Sequence, residues 1–139
     1  MSADLRLPDS IRTIPEALAF WAEQTPDAPA LIVAGGATVT YDALWRDARR
    51  LAESLAQCGV VRHDRLALLV PEGPALALAL LGTMAAAIAV PLHATLAVPE
   101  VRDALRRLDP AGVIVTPSLP KAIRNALRDD RAPLFELRT

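Results

Sequence analysis

Residues 65–92 read RLALLVPEGPALALALLGTMAAAIAVPL, and the fold turns on how this stretch is divided. No charge falls between Gly73 and Leu92, and by length alone that run spans a bilayer. Pro74 opens it, Pro91 nearly closes it, no basic cluster flanks it, and Ala outnumbers Leu and Phe. Those features speak against a membrane span. The better division is a strand from Arg65 to Val70, a buried helix from Pro74 to Ala86, and a short buried strand from Ile88 to Leu92.

Downstream the strand–helix rhythm continues. Pro99 to Leu108 is an amphipathic helix, Gly112 to Thr116 a strand, Leu119 to Arg128 a helix, and Leu134 to Leu137 a last strand. Strands that are apolar on both faces and alternate with helices imply a parallel sheet covered on both sides. The expected fold is therefore α/β, doubly wound, with a mostly parallel sheet flanked by helices.

Upstream, Thr13-Ile14-Pro15-Glu16 has the spacing of a capping box. Ile14, Leu18, Trp21 and Ala22 share the inner face of the helix it opens, and Thr25-Pro26-Asp27 stops that helix. Ala30 to Val33 and Thr38 to Thr40 flank Ala34-Gly35-Gly36-Ala37, which predicts a small N-terminal β-hairpin turning on glycines. Thr40 is placed to cap a second helix. Its apolar stripe runs through Tyr41, Leu44, Trp45, Ala48, Leu51, Ala52, Leu55 and Cys58, with Arg46, Asp47, Arg49, Arg50 and Glu53 on the wet side. Gly59 supplies the C-terminal cap.

Composition narrows the function. The 139 residues suit one domain, 1–139, and carry 15 basic against 16 acidic side chains, net −1. No basic cluster offers a nucleic-acid surface. Cys58 is the single cysteine, which precludes an internal disulfide, fits a reducing compartment and is expected to be a buried, inert thiol. The opening MSADLRLPDS lacks the apolar core of a signal peptide, so a cytoplasmic protein of bacterial type is expected.

Searches for chemistry return little. Gly35-Gly36 is not followed by Lys-Ser or Lys-Thr, and Pro71-Glu72-Gly73-Pro74 lacks the further glycines of a dinucleotide fingerprint. Two histidines and one cysteine build no metal site with recognisable spacing. His63 falls in a polar turn. Ser54 is mid-helix and Ser118 follows Pro117 in a loop, so neither is set up as a nucleophile, and Trp21 and Trp45 read as packing residues. His93 stands just past Pro91-Leu92, at the C-terminal end of a predicted parallel strand, where such folds bind ligands. It is the one candidate cofactor-binding residue, against a loop or capping role; no catalytic residue and no metal ligand is assigned.

Order and spacing say more than single residues. Thr25-Pro26-Asp27-Ala28-Pro29-Ala30-Leu31, Thr40-Tyr41-Asp42-Ala43-Leu44, Asp64-Arg65-Leu66-Ala67-Leu68-Leu69, Val90-Pro91-Leu92 and Val113-Ile114-Val115-Thr116 follow one another in that order. Together they resemble the N-terminal subdomain of the adenylate-forming superfamily: acyl- and aryl-CoA ligases, luciferase and peptide-synthetase adenylation domains. Ala43 departs from the acidic residue usual there, which weakens the second helix start by at most about 1 kcal/mol, with Asp42 compensating in part. Met84-Ala85-Ala86 replaces the Lys-Ala-Gly of peptide synthetases and favours an acyl- or aryl-CoA-ligase-like protein. His93 replaces an Asn or Asp.

The resemblance implies activation of a carboxylate by ATP to an acyl-AMP, then transfer to a thiol. ATP, Mg and CoA, or a carrier-protein thiol, are implied for the full-length enzyme and no cofactor for this chain. In that family the phosphate-binding loop, the adenine, Mg and acyl sites and the catalytic lysine of the C-terminal domain come after the last strand seen here. The expectation is an N-terminal fragment, inactive alone, partnered by the remainder of the enzyme and self-associating through the docking surface left exposed. Alternatives are a free-standing interaction module, one half of a split adenylating enzyme, or a small regulatory domain binding a nucleotide or acyl ligand through Glu72, His93, Thr95 and Thr116.

Overall fold

A computed structural model describes residues 6–138. Their contacts divide at Arg46/Asp47 into two compact units, and α2 (Tyr41–Gln57) runs through the boundary.

The first unit holds α1 (Ile14–Gln24), β1 (Pro29–Ile32) and β2 (Thr38–Thr40). The capping box forms: Thr13 Oγ1 accepts from the Glu16 N–H (3.3 Å), and the Glu16 carboxylate accepts from the N–H groups of Thr13 (3.0 Å) and Arg12 (2.7 Å). Leu18 and Ala22 are buried, and Trp21 stacks its edge on Phe20 with ring centres 5.1 Å apart. Ile14, expected on the inner face, stays 55% exposed. β1 and β2 pair antiparallel. Of the two turn glycines, Gly35 alone takes a positive φ (68°). Thr40 caps α2, its Oγ1 accepting from the Ala43 N–H at 3.2 Å.

The second unit is a four-stranded parallel sheet. Its strands are β3 (Arg65–Leu69), β4 (Ile88–Pro91), β5 (Gly112–Val115) and β6 (Leu134–Glu136), in the order β4-β3-β5-β6. Helices α3 (Pro74–Ala86), α4 (Val98–Leu108) and α5 (Lys121–Arg128) make the connections. Alternate residues of β3 and β5 point to opposite faces, as the pleat requires. Ala67, Leu69, Val113 and Val115 pack with Val101 and Leu105 of α4 and Ile123 and Leu127 of α5. Leu66, Leu68 and Ile114 pack on the other face with Leu55 of α2 and Ala79 of α3. Each such Leu, Ile or Val stabilises the unit by about 1.5–3 kcal/mol when fully buried. The sheet is thus covered on both sides, as the apolar strands imply.

Three expectations need correcting. First, β4 is an outer strand rather than a buried one: its ends are exposed, Ile88 at 46%, because it pairs with β3 alone. Second, α3 is apolar all round but buries only Ala79, Gly82 and Thr83, since among the described residues just one of its sides is covered. Third, Cys58 is exposed. α2 ends at Gln57, Gly59 swings to φ 87°, and the N–H groups of Gly59 and Val60 return to the carbonyls of Ala56 and Leu55, both at 3.0 Å. This Schellman turn puts Val60 rather than Cys58 into the core beside Leu55. Among the described residues no helix is long and apolar enough to cross a membrane.

Candidate functional site

In a parallel sheet the strand ends and the loops that follow them gather on one edge, where ligands bind in open α/β folds. Here β3, β4 and β5 end in Val70-Pro71-Glu72, Leu92-His93-Ala94-Thr95 and Thr116-Pro117-Ser118. Two open cavities of about 500 Å³ each lie at these ends. One is lined by Glu72, Leu76, Leu92, His93 and Thr95, the other by Glu72, Thr116, Ser118 and Arg138. Glu72 borders both.

The structure therefore gathers the four strand-end residues in two groups. His93 and Thr95 share a cavity with Glu72, whereas Thr116 lies with Glu72 on the other. His93 Nδ1 accepts the Thr95 backbone N–H at 3.4 Å and lies 2.7 Å from Thr95 Oγ1. An amide only donates, so Nδ1 is the acceptor in that contact. His93 is exposed, and its ring holds the turn that follows β4. Thr116 is 5% exposed and its hydroxyl meets that of Ser118 at 2.9 Å.

Sequence reasoning missed Ser118 and Arg138 as cavity residues. Ser118 was weighed only as a nucleophile, and Arg138 lies beyond the last strand. The signal available was their position just after strands β5 and β6. Arg138 is ion-paired with Glu136 at 2.7 Å.

Chemically the edge offers hydroxyls, one imidazole, the Glu72 carboxylate and the Arg138 guanidinium. Thr95 Oγ1 lies against His93 Nδ1, but both residues are exposed and the contact closes the turn after β4. Among the described residues no three His, Cys, Asp or Glu side chains cluster to hold a metal. His63 is exposed in the loop before β3, and Lys121 is exposed at the start of α5.

The topology and motifs define an α/β domain of the adenylating type, and comparison with known proteins identifies the family. A profile described as AMP-binding enzyme matches residues 18–137, and the chain belongs to that family. It is 33% identical over 124 residues to a sulfoacetate–CoA ligase of Cupriavidus necator, covering 88% of this chain and 24% of that protein. It is 39% identical over 97 residues to a feruloyl-CoA synthase of an Amycolatopsis species, covering 69% of this chain and 20% of that one. Among solved structures, a benzoate CoA ligase of Burkholderia xenovorans superposes with a TM-score of 0.80 at 25% identity, over 92% of this chain and 26% of the ligase. The chain thus spans about a quarter of the length of these relatives.

Proposed function

We propose that this chain is the N-terminal subdomain of an AMP-forming acyl- or aryl-CoA-ligase-like enzyme, residues 1–139 serving as scaffold rather than as catalytic machinery. The supporting observation is the family match from residue 18 to 137, with relatives named as CoA ligases or synthases. In this reading the complete enzyme uses ATP and Mg to convert a carboxylate to an acyl-AMP and then passes the acyl group to a thiol, in the cytoplasm. Such adenylyl transfer depends on positioned cations and backbone donors. In this reading those groups come from the rest of the polypeptide, the isolated chain is inactive, and the remainder of the enzyme is its partner.

The test has two parts. An immunoblot of source cells against this chain is expected to show a band well above 14.8 kDa. That polypeptide, purified, is expected to exchange pyrophosphate into ATP only when a carboxylate is added, whereas the 139-residue chain alone is not. A native band at 14.8 kDa without exchange makes the chain a free-standing module. Exchange by the isolated chain overturns its assignment as scaffold.

A further inference from the structure

A groove of about 760 Å³ runs between α2, α3 and β6 in the second unit. Leu51, Leu55, Phe135 and Leu137 give it apolar walls. Its charged rim is already matched: Asp47 faces Arg50 at 3.7 Å and Glu136 faces Arg138 at 2.7 Å. The groove therefore lacks an apolar cover rather than a counter-charge, which favours a polypeptide over a charged small molecule. β6 forms its lip and is the outer strand of the sheet, with no strand beside it on that side among the described residues. Leu134 at its start is 37% exposed.

The family match ends at Leu137, on this lip. Most of the superposed benzoate CoA ligase, of which this chain covers 26%, lies outside the matched part. A segment continuing past Leu137 starts at the groove, beside a bare strand and an apolar floor. We propose that the groove is the docking surface for the polypeptide that follows residue 139 in the same chain, an extended segment adding beside β6 and laying apolar side chains over Phe135 and Leu51. This inference rests on the proposed function and names the face through which the remainder of the enzyme attaches.

Cys58, exposed and lining the groove, reports the cover directly. The native polypeptide is taken from source cells without denaturation, treated with N-ethylmaleimide and digested with trypsin; the peptide LAESLAQCGVVR, residues 51–62, is then quantified. Alkylation is expected to be at least about ten-fold slower than in the same polypeptide unfolded in guanidinium, and than in the separately expressed 139-residue chain diluted until it sediments as a monomer. Equal rates overturn the proposal. So does protection in a native polypeptide of only 14.8 kDa, since a different molecule then covers the groove. Carboxylate-dependent exchange by a polypeptide with unprotected Cys58 removes the docking surface and leaves the proposed function standing. Protection in a larger polypeptide that performs no such exchange supports the docking surface and removes the proposed function.

Discussion

Glu16 closes the first turn of α1 by accepting two backbone N–H groups, and those bonds, that from Arg12 first and that from Thr13 next, hold its carboxyl below the usual carboxylate range. A carboxyl whose pKa is lower folded than unfolded contributes stability at pH values above its ordinary range. That contribution is lost as pH falls through the lowered value. The protection of the Arg12 and Thr13 amides, taken against the unprotected exchange rate at the same pH, is therefore expected to fall below the ordinary carboxylate range, and Glu16→Gln is expected to flatten that transition; an unchanged profile in the variant removes Glu16 as its cause. Thr83 is a second residue with a readable cost. It is fully buried, and its Oγ1 meets no hydrogen-bond partner in the structure. A buried hydroxyl left unpaired costs about 1–3 kcal/mol, and valine has nearly the same shape. Thr83→Val is expected to raise the urea midpoint by an amount worth about 1 kcal/mol, with m unchanged. A lowered midpoint means the hydroxyl is satisfied.

Between elements, glycine sets two close approaches. A Cβ on Gly82 of α3 lies 2.9 Å from Leu51 Cβ and 2.7 Å from its Cδ2, so the two helices must separate to admit it. Alanine gains about 1 kcal/mol in helix propensity at such a site, against about 1–3 kcal/mol for overpacking. Gly82→Ala is therefore expected to lower the thermal midpoint despite the better helix former, and a higher midpoint shows that α2 and α3 part freely. On β5, a Cβ at Gly112 comes within 2.3 Å of the Phe135 ring. Gly112→Ala is expected to displace that ring and destabilise by about 1–3 kcal/mol, read by urea unfolding. The elements themselves were legible because each carries its own period and punctuation. Pro74 to Ala86 and Tyr41 to Gln57 form as their sequences predict. Burial was less legible, since an apolar run states what a segment tolerates and not what covers it. β4 and α3 are apolar enough for a core, yet β4 lies at the sheet's rim and much of α3 stays uncovered. Cys58 fits the helical period, but the turn at Gly59 breaks that period one residue early. At the strand-end edge the position of His93 just past β4 was legible from its place after Val-Pro-Leu. Ser118 and Arg138 were not, because their neighbourhood is made by strand order and not by sequence spacing.

At the scale of the whole molecule, the described residues carry an apolar groove and, at each side of the parallel sheet, a strand paired on its inner edge alone. Such surfaces associate in water. The weight-average mass in sedimentation is expected to rise above 14.8 kDa with concentration, and Leu134→Lys, which puts a charge on the β6 lip, is expected to weaken that rise. A monomer at every concentration, with or without the substitution, refutes this. The strand order has another consequence, for the chain as it is made. β3 emerges from the ribosome first and pairs with β4, but its other partner, β5, begins only at Gly112, after α3, β4 and α4 have been synthesised. Until then the strand that ends up at the centre is itself an edge, with Leu66 and Leu68 turned to one side and Leu69 to the other, neither yet closed by Ile114 or Val113. The nascent chain is therefore stickiest between the emergence of β3 and that of β5, and that interval is when a holding chaperone has most to bind.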